Sequence, residues 1–194
     1  REDIHPVEAL QTGADYSICG NCPHRKQEDG TRRSCYVNVG QAPSAVWKSD
    51  KRGLYKELDA ETNLSVLLNH RKIRWGAYGD PSIINPDVVK SLNVFAAGHT
   101  GYTHQWREDF AQPFKGIFQA SCDGMRDYLE ASAHGWKTFA VVPKGKEAFS
   151  GKQCPATVDG SSAQCRTCAL CDGAKQDVFV VAHGTGAKHF AGVS

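Results

Sequence analysis

Residues 117–142 read IFQASCDGMRDYLEASAHGWKTFAVV, and the alternation inside this stretch decides the fold. Residues 117–121 have the apolar, small-side-chain character of a buried strand. Asp123 stands where a helix N-cap belongs, and Met125, Tyr128, Leu129 and Ala133 recur at helical spacing behind it. Gly135 stops that helix, and residues 137–142 form the next strand. Strand, helix and strand in immediate succession predict two parallel strands joined by a crossover helix.

The same alternation extends in both directions. Residues 73–78 read as a strand broken by Gly79-Asp80-Pro81. Asn85-Pro86 then supplies an N-cap and a first-turn proline. Val88, Val89, Leu92, Phe95 and Ala96 share one helical face, with Gly98 as the helix-ending glycine. Strands at 101–105 and 177–182 (DVFVVA) complete the set. Toward the N-terminus, Ser44 caps a helix running to about Leu58, with Val46, Trp47, Leu54, Tyr55 and Leu58 as its buried positions. Leu64, Leu67 and Leu68 mark a second helix that ends near the cationic His70-Arg71-Lys72. The first forty residues lack a clear period and read as loops and extended segments, with a short strand at 15–19.

The expected fold class is therefore α/β. A parallel sheet with helices forms a curved or partial (β/α) barrel and carries a cysteine-rich, cluster-binding loop. One domain is expected over 1–194, comprising an irregular cysteine-containing segment (1–40), a βα core (41–145) and a cysteine-rich loop with the last strand (146–194).

Composition excludes several function classes. In 194 residues, 40% are hydrophobic and 23% charged, the balance of a globular protein, and no apolar run reaches the length of a membrane span. Net charge is +2. The basic groups at His24-Arg25-Lys26, Arg32-Arg33, Lys51-Arg52 and His70-Arg71-Lys72 read first as solvated loop and helix-end charges, and second as a phosphate- or nucleic-acid-binding face.

In parallel sheets, chemistry collects beyond the C-terminal strand ends. That rule selects Asp80, His104-Gln105, Cys122-Asp123, Lys144 and His183-Gly184-Thr185. Each has a plainer reading as a turn, cap or loop residue. Their shared placement makes Gly79, Asp80, His104, Asp123 and His183 the candidate cofactor-facing residues.

Seven of eight cysteines fall into two groups, Cys19-x2-Cys22-x12-Cys35 and Cys154-x10-Cys165-x2-Cys168-x2-Cys171. Thiolates two residues apart face one metal centre, and the consecutive steps of the second group match cluster-binding loops. A [4Fe–4S] cluster is the leading expectation. Tetrahedral zinc, which favours two separated Cys-x2-Cys pairs, and disulfides stay open as alternatives. Cys122, alone at a strand end, reads as a small buried hydrophobe.

Several short motifs together resemble a known group. They are Cys19-Gly-Asn-Cys22-Pro, Ser34-Cys35-Tyr36, Gly79-Asp80-Pro81, Gly101-Tyr102-Thr103-His104, Cys154-Pro155-Ala156, Cys165-Arg-Thr-Cys168-Ala-Leu-Cys171 and Ala182-His183-Gly184-Thr185. In this order they are similar to uncharacterised, cysteine-rich proteins of bacteriophages and prophages. That group in turn resembles a reduced relative of radical SAM enzymes. The resemblance implies a cluster on Cys19, Cys22 and Cys35 with one open iron, and S-adenosylmethionine met by Gly79-Asp80. It also implies a second cluster on Cys154, Cys165, Cys168 and Cys171. The x12 gap departs from the Cys-x3-Cys-x2-Cys of radical SAM proteins, so a single cluster drawing on both groups stays open. The implied role is redox or radical chemistry in the cytoplasm of the infected host, with a redox partner. The alternative is a non-enzymatic protein whose structural metal supports contact with a host protein or nucleic acid.

Overall fold

The computed structural model describes residues 3–26, 33–59, 61–143 and 150–183. The chain is mixed α/β, and among the described residues every strand pairing is parallel. The strands are β1 (Lys72–Arg74), β2 (Gly98–Thr100), β3 (Tyr102–Thr103), β4 (Gln119–Cys122), β5 (Thr138–Val142), β6 (Lys152–Gln153) and β7 (Val178–Val181). The helices are α1 (Pro6–Thr12), α2 (Tyr16–Cys19), α3 (Ala42–Lys51), α4 (Leu64–Leu68), α5 (Pro86–Phe95), α6 (Met125–Ala133) and α7 (Cys165–Cys168). Short 3₁₀ helices occupy Pro81–Ile83, Asp109–Phe114 and Pro155–Thr157.

Among the described residues the hydrogen bonds form two open sheets, β1-β2 and β3-β4-β5-β7-β6, and no closed barrel. The chain passes from one sheet to the other at Gly101. A Cβ there would lie 2.6 Å from Phe118 Cδ1, so the crossing is closed to any larger residue. The β4–α6–β5 unit is the crossover read from residues 117–142, and β5 pairs β7 in register from Phe139↔Val178 to Val142↔Val181.

The core lies between the larger sheet and its helices. Val89, Trp106, Phe114, Phe118, Ala120, Cys122, Ala131, Trp136 and Ala140 form one buried cluster. The Phe114 and Phe118 rings stack at 5.0 Å. Cys122 is fully buried here, as a small hydrophobe, and burial pushes its thiol far up.

Several expectations are corrected. Residues 15–19 hold a helical turn, not a strand, because Gly13 and Gly20 sit at positive φ on either side and Asp15 O accepts from Ile18 and Cys19 N–H. The first forty residues also contain α1, started by Pro6 and by the His5 ring accepting from Val7 N–H. Helix α3 ends at Lys51, where Gly53 at φ +65 turns the chain. Leu54, Tyr55 and Leu58 therefore lie beyond the helix, and they and Val46, on an outer face of α3, are more than half exposed. Helix α6 starts after Gly124 and packs through Ala131 and Tyr128, while Met125 and Leu129 face solvent. Val88 and Phe95 of α5 are likewise exposed, leaving Val89 as its buried contact. Gly98 opens β2 instead of capping α5. Lys144, Gly184 and Thr185 lie outside the described residues. No helix among the described residues is long and apolar enough to cross a membrane.

Candidate functional site

Cys19 closes α2, Cys22 and Cys35 follow it in the chain, and distant residues hold the turn after the helix. The buried Gln105 grips it at two points: Nε2 donates to Cys19 O at 3.2 Å, and Oε1 accepts from Asn21 N–H at 3.2 Å. Gly20, at φ +55, makes room for that clamp, since a Cβ would lie 2.7 Å from the Gln105 amide. Asp80 N–H donates to Ile18 O at 2.6 Å, and Gly79, at φ +91, presses against the same carbonyl. The Asp80 carboxylate is largely engaged. Oδ1 accepts from Ser82 N–H and Oγ–H, and Oδ2 accepts from His104 N–H at 2.8 Å. Asp80 is thus both the turn residue of its plain reading and a member of the site wall.

Cys19, Cys22 and Cys35 line one cavity of about 90 Å³, with Arg25, Arg33, Tyr78, Gly79, Asp80, Tyr102 and His104 around it. Burial, then Asp15, Cys22 and Cys35, push the Cys19 thiol up to about 12. Three thiols gathered on one cavity are a site short of positive charge. Two guanidiniums supply part of it. Arg25 is paired with Asp15 at 2.6 Å, and Arg33 donates to Cys35 O at 3.0 Å.

The second group is built differently. Cys165–Cys168 is a single helical turn ended by Ala169 at φ +51. Its fixed points are Gly101 N–H donating to Cys171 O (3.1 Å), Lys72 Nζ donating to Thr167 O (2.9 Å) and Cys154 N–H donating to Phe179 O (2.8 Å). Burial, then Cys154, Cys165 and Cys168, push the Cys171 thiol up to about 12. The group therefore gathers within electrostatic reach of Cys171, and Cys171 is anchored at Gly101, the junction between the end of β2 and the start of β3. Tyr102 stands between the two groups: it lines the first cavity, and its hydroxyl is raised by burial, Tyr36, Cys171 and Cys165.

All eight cysteines carry thiols outside any disulfide. No three sulfurs among the described residues close to within 4.8 Å; the group that does is His24, His104 and Asp123. His24 Nε2 lies 2.8 Å from Asp123 Oδ1, and His104 Nε2 lies 3.7 Å from Oδ2. The latter is an ion-pair distance, and Nε2 is buried without a hydrogen-bond partner. The outer nitrogens have neighbours too, Ser34 Oγ at 2.7 Å from His24 Nδ1 and Cys22 Sγ at 3.6 Å from His104 Nδ1. Burial alone would raise the Asp123 carboxyl; the nearby His104 ring and the hydrogen-bonded His24 override it and hold it well below the usual carboxylate range. Burial would likewise lower His104, yet Cys22 and Asp123 raise it well above an ordinary imidazole.

The strand-end rule thus brings Gly79, Asp80, His104 and Asp123 to one region. His183 is not brought there. It is exposed at the end of β7, its ring on Val181 O at 2.8 Å, and does not line the cavity. In the sequence His24 reads as one of several basic residues, and Ser34 figures only in the Ser34-Cys35-Tyr36 motif. The partner that gives His24 its role, Asp123, lies 99 residues away. Comparisons with protein-family models, with curated proteins and with solved structures give no match.

Proposed function

We propose that this chain is an iron–sulfur protein that binds at least one [4Fe–4S] cluster. The observation that carries the reading is the first cavity, where three cysteines spread over residues 19–35 converge and burial pushes the Cys19 thiol up. Iron supplies the positive charge that makes three thiolates compatible. Cys19, Cys22 and Cys35 provide three ligands, which leaves one iron of a cubane without a cysteine. Cys154, Cys165, Cys168 and Cys171 provide a complete set for a second cluster. Zinc suits the sulfurs less well, because a tetrahedral site with Zn–S of about 2.3 Å sets its sulfurs about 3.8 Å apart. No three cysteine sulfurs among the described residues approach that closely.

The chain's own residues shape what a cluster does here. Arg25 and Arg33 offset its negative charge, and His104 beside Cys22 places a hydrogen-bonding ring against a ligand sulfur. Both raise a cluster's reduction potential. The role is redox chemistry, in the setting that the motif order resembles, a phage-type protein in the cytoplasm of an infected bacterium. On this reading the two sheets are parts of a partial (β/α) barrel interrupted at Gly101. The cavity of about 90 Å³ is below the range of about 300–1,000 Å³ for organic ligands. S-adenosylmethionine does not fit it as it stands, and no step is assigned to that cofactor.

Anaerobic purification after iron and sulfide reconstitution tests the proposal. The expected protein is brown, with about four or eight irons and matching sulfide per chain. Colourless protein with stoichiometric zinc would overturn it. Adding S-adenosylmethionine to the reduced protein separates the two chemistries: no cleavage is expected, and cleavage would establish the radical branch.

A further inference from the structure

We propose that His24, His104 and Asp123 form a second kind of metal site, a mononuclear centre for a first-row divalent cation of the zinc or iron(II) type. It stands apart from the cluster reading, because its donors are two imidazoles and a carboxylate and none is a thiolate.

Geometry carries the proposal. Three donor atoms from three separate segments (the loop after α2 and the ends of β3 and β4) lie within 4.8 Å of one another. Metal–nitrogen and metal–oxygen distances of about 2.0–2.2 Å place two ligand atoms about 2.9 Å apart at a right angle and about 3.4 Å apart at a tetrahedral angle. His24 Nε2 stands 2.8 Å from Asp123 Oδ1 and His104 Nε2 3.7 Å from Oδ2, so each ring faces its own carboxylate oxygen at a separation on either side of those values. Both rings turn Nε2 toward the carboxylate, and the His104 Nε2 is buried with no hydrogen-bond partner. A buried ring nitrogen without a partner costs free energy unless something fills the space beside it.

The surroundings match those of a metal site. Metal on Nε2 fixes the imidazole proton on Nδ1, where an outer acceptor orients the ring. Ser34 Oγ takes that position for His24 and Cys22 Sγ for His104. The backbone is fixed at all three points: Cys35 N–H donates to His24 O, His104 N–H to Asp80 Oδ2, and Asp123 N–H to Asp127 Oδ2. Two histidines and one carboxylate leave coordination positions open for water or a substrate oxygen, the arrangement of catalytic, not structural, metal centres. Because the site touches Cys22, a cation here and a cluster on Cys22 communicate through one imidazole.

Cobalt(II), added anaerobically to chelator-treated full-length chain, is the probe. We expect one bound equivalent whose visible bands lack sulfur-to-cobalt charge transfer, with hyperfine-shifted ring N–H signals from two histidines. His24→Gln and Asp123→Asn should each abolish that equivalent, and Ser34→Ala should weaken it about 10- to 100-fold. His134→Gln, at an exposed imidazole on Glu130 O outside the site, should leave it unchanged. The proposal is overturned if all bound cobalt in the parent chain shows sulfur charge transfer and no shifted imidazole signals, a result that needs no variant to fold. It is equally overturned if His24→Gln and Asp123→Asn bind as the parent does. A chain that takes no iron but keeps this cobalt signature would sink the cluster reading alone.

Discussion

The two cysteine groups make a natural contrast. The first is held by residues from across the chain: Gln105 clamps Cys19 and Asn21, Asp80 bonds Ile18, and His24 reaches Asp123. The second leans mainly on its own short turn and a few backbone anchors, and its Cys165 is exposed. The first group is organised by long-range contacts of the fold itself. On the proposed cluster reading, metal binding supplies more of the order in the second. Pre-organisation raises affinity by removing ordering cost, so the first group should fill first and the second should respond more in structure.

The largest expected effect breaks the first region. At Gly79, φ is +91 and a Cβ would sit 2.8 Å from Ile18 O, so Gly79→Val forces the loop off α2. We expect a loss of about 3 kcal/mol in urea unfolding, the upper end of backbone strain costs, with iron lost from the first group and kept by the second. An unchanged midpoint would remove the clamp from the picture.

Next is Asp123→Asn in the metal-free chain, expected to cost about 1.5–3 kcal/mol as hydrogen bonds to a buried charge are lost. Its pH dependence has a definite sign. The Asp123 pKa is lowered from an ordinary 3.8, so its contribution is complete above 3.8 and disappears as pH falls through the lowered value. The His104 pKa is raised above 6.5, so its contribution is complete below 6.5 and disappears as pH rises through the raised value. The stability gap between parent and variant should therefore be widest between 3.8 and 6.5 and narrow on both sides; a gap that does not vary with pH would contradict the pairing.

Gln105→Ala should cost about 1.5 kcal/mol, the range for losing two neutral hydrogen bonds, and slow iron uptake by the first group. Smallest of all is Cys165→Ser. The side chain is exposed, so apo stability should change by no more than about 0.5 kcal/mol, while iron in the second group falls. A large apo effect would mean the second region is as pre-organised as the first.

Much of the parallel scaffold was legible because β4, α6, β5 and β7 carry their own periodicity, and Asn85-Pro86 and Gly135 mark boundaries that local chemistry enforces. Residues 15–19 misled because one turn between two glycines is too short to show a helical period. Val46, Leu54, Met125 and Leu129 misled because apolar spacing marks a face without saying whether anything covers it. At the site, cysteine spacing drew attention to both groups, and the strand-end rule found His104 and Asp123. The rule did not find His24, whose role depends on a loop folding back onto β4, and it included His183, which sits at a strand end two strands removed from β4.

The most direct measurement is iron and acid-labile sulfide per chain, after anaerobic reconstitution, in three proteins: the parent, a Cys19→Ala/Cys22→Ala/Cys35→Ala variant and a Cys165→Ala/Cys168→Ala/Cys171→Ala variant. Two cluster sites predict about eight irons in the parent and about half that in each variant, with the first group filling at lower iron in the parent. Iron that stays at the parent level in both variants, or is absent from the parent, would contradict the assignment of these thiols to clusters.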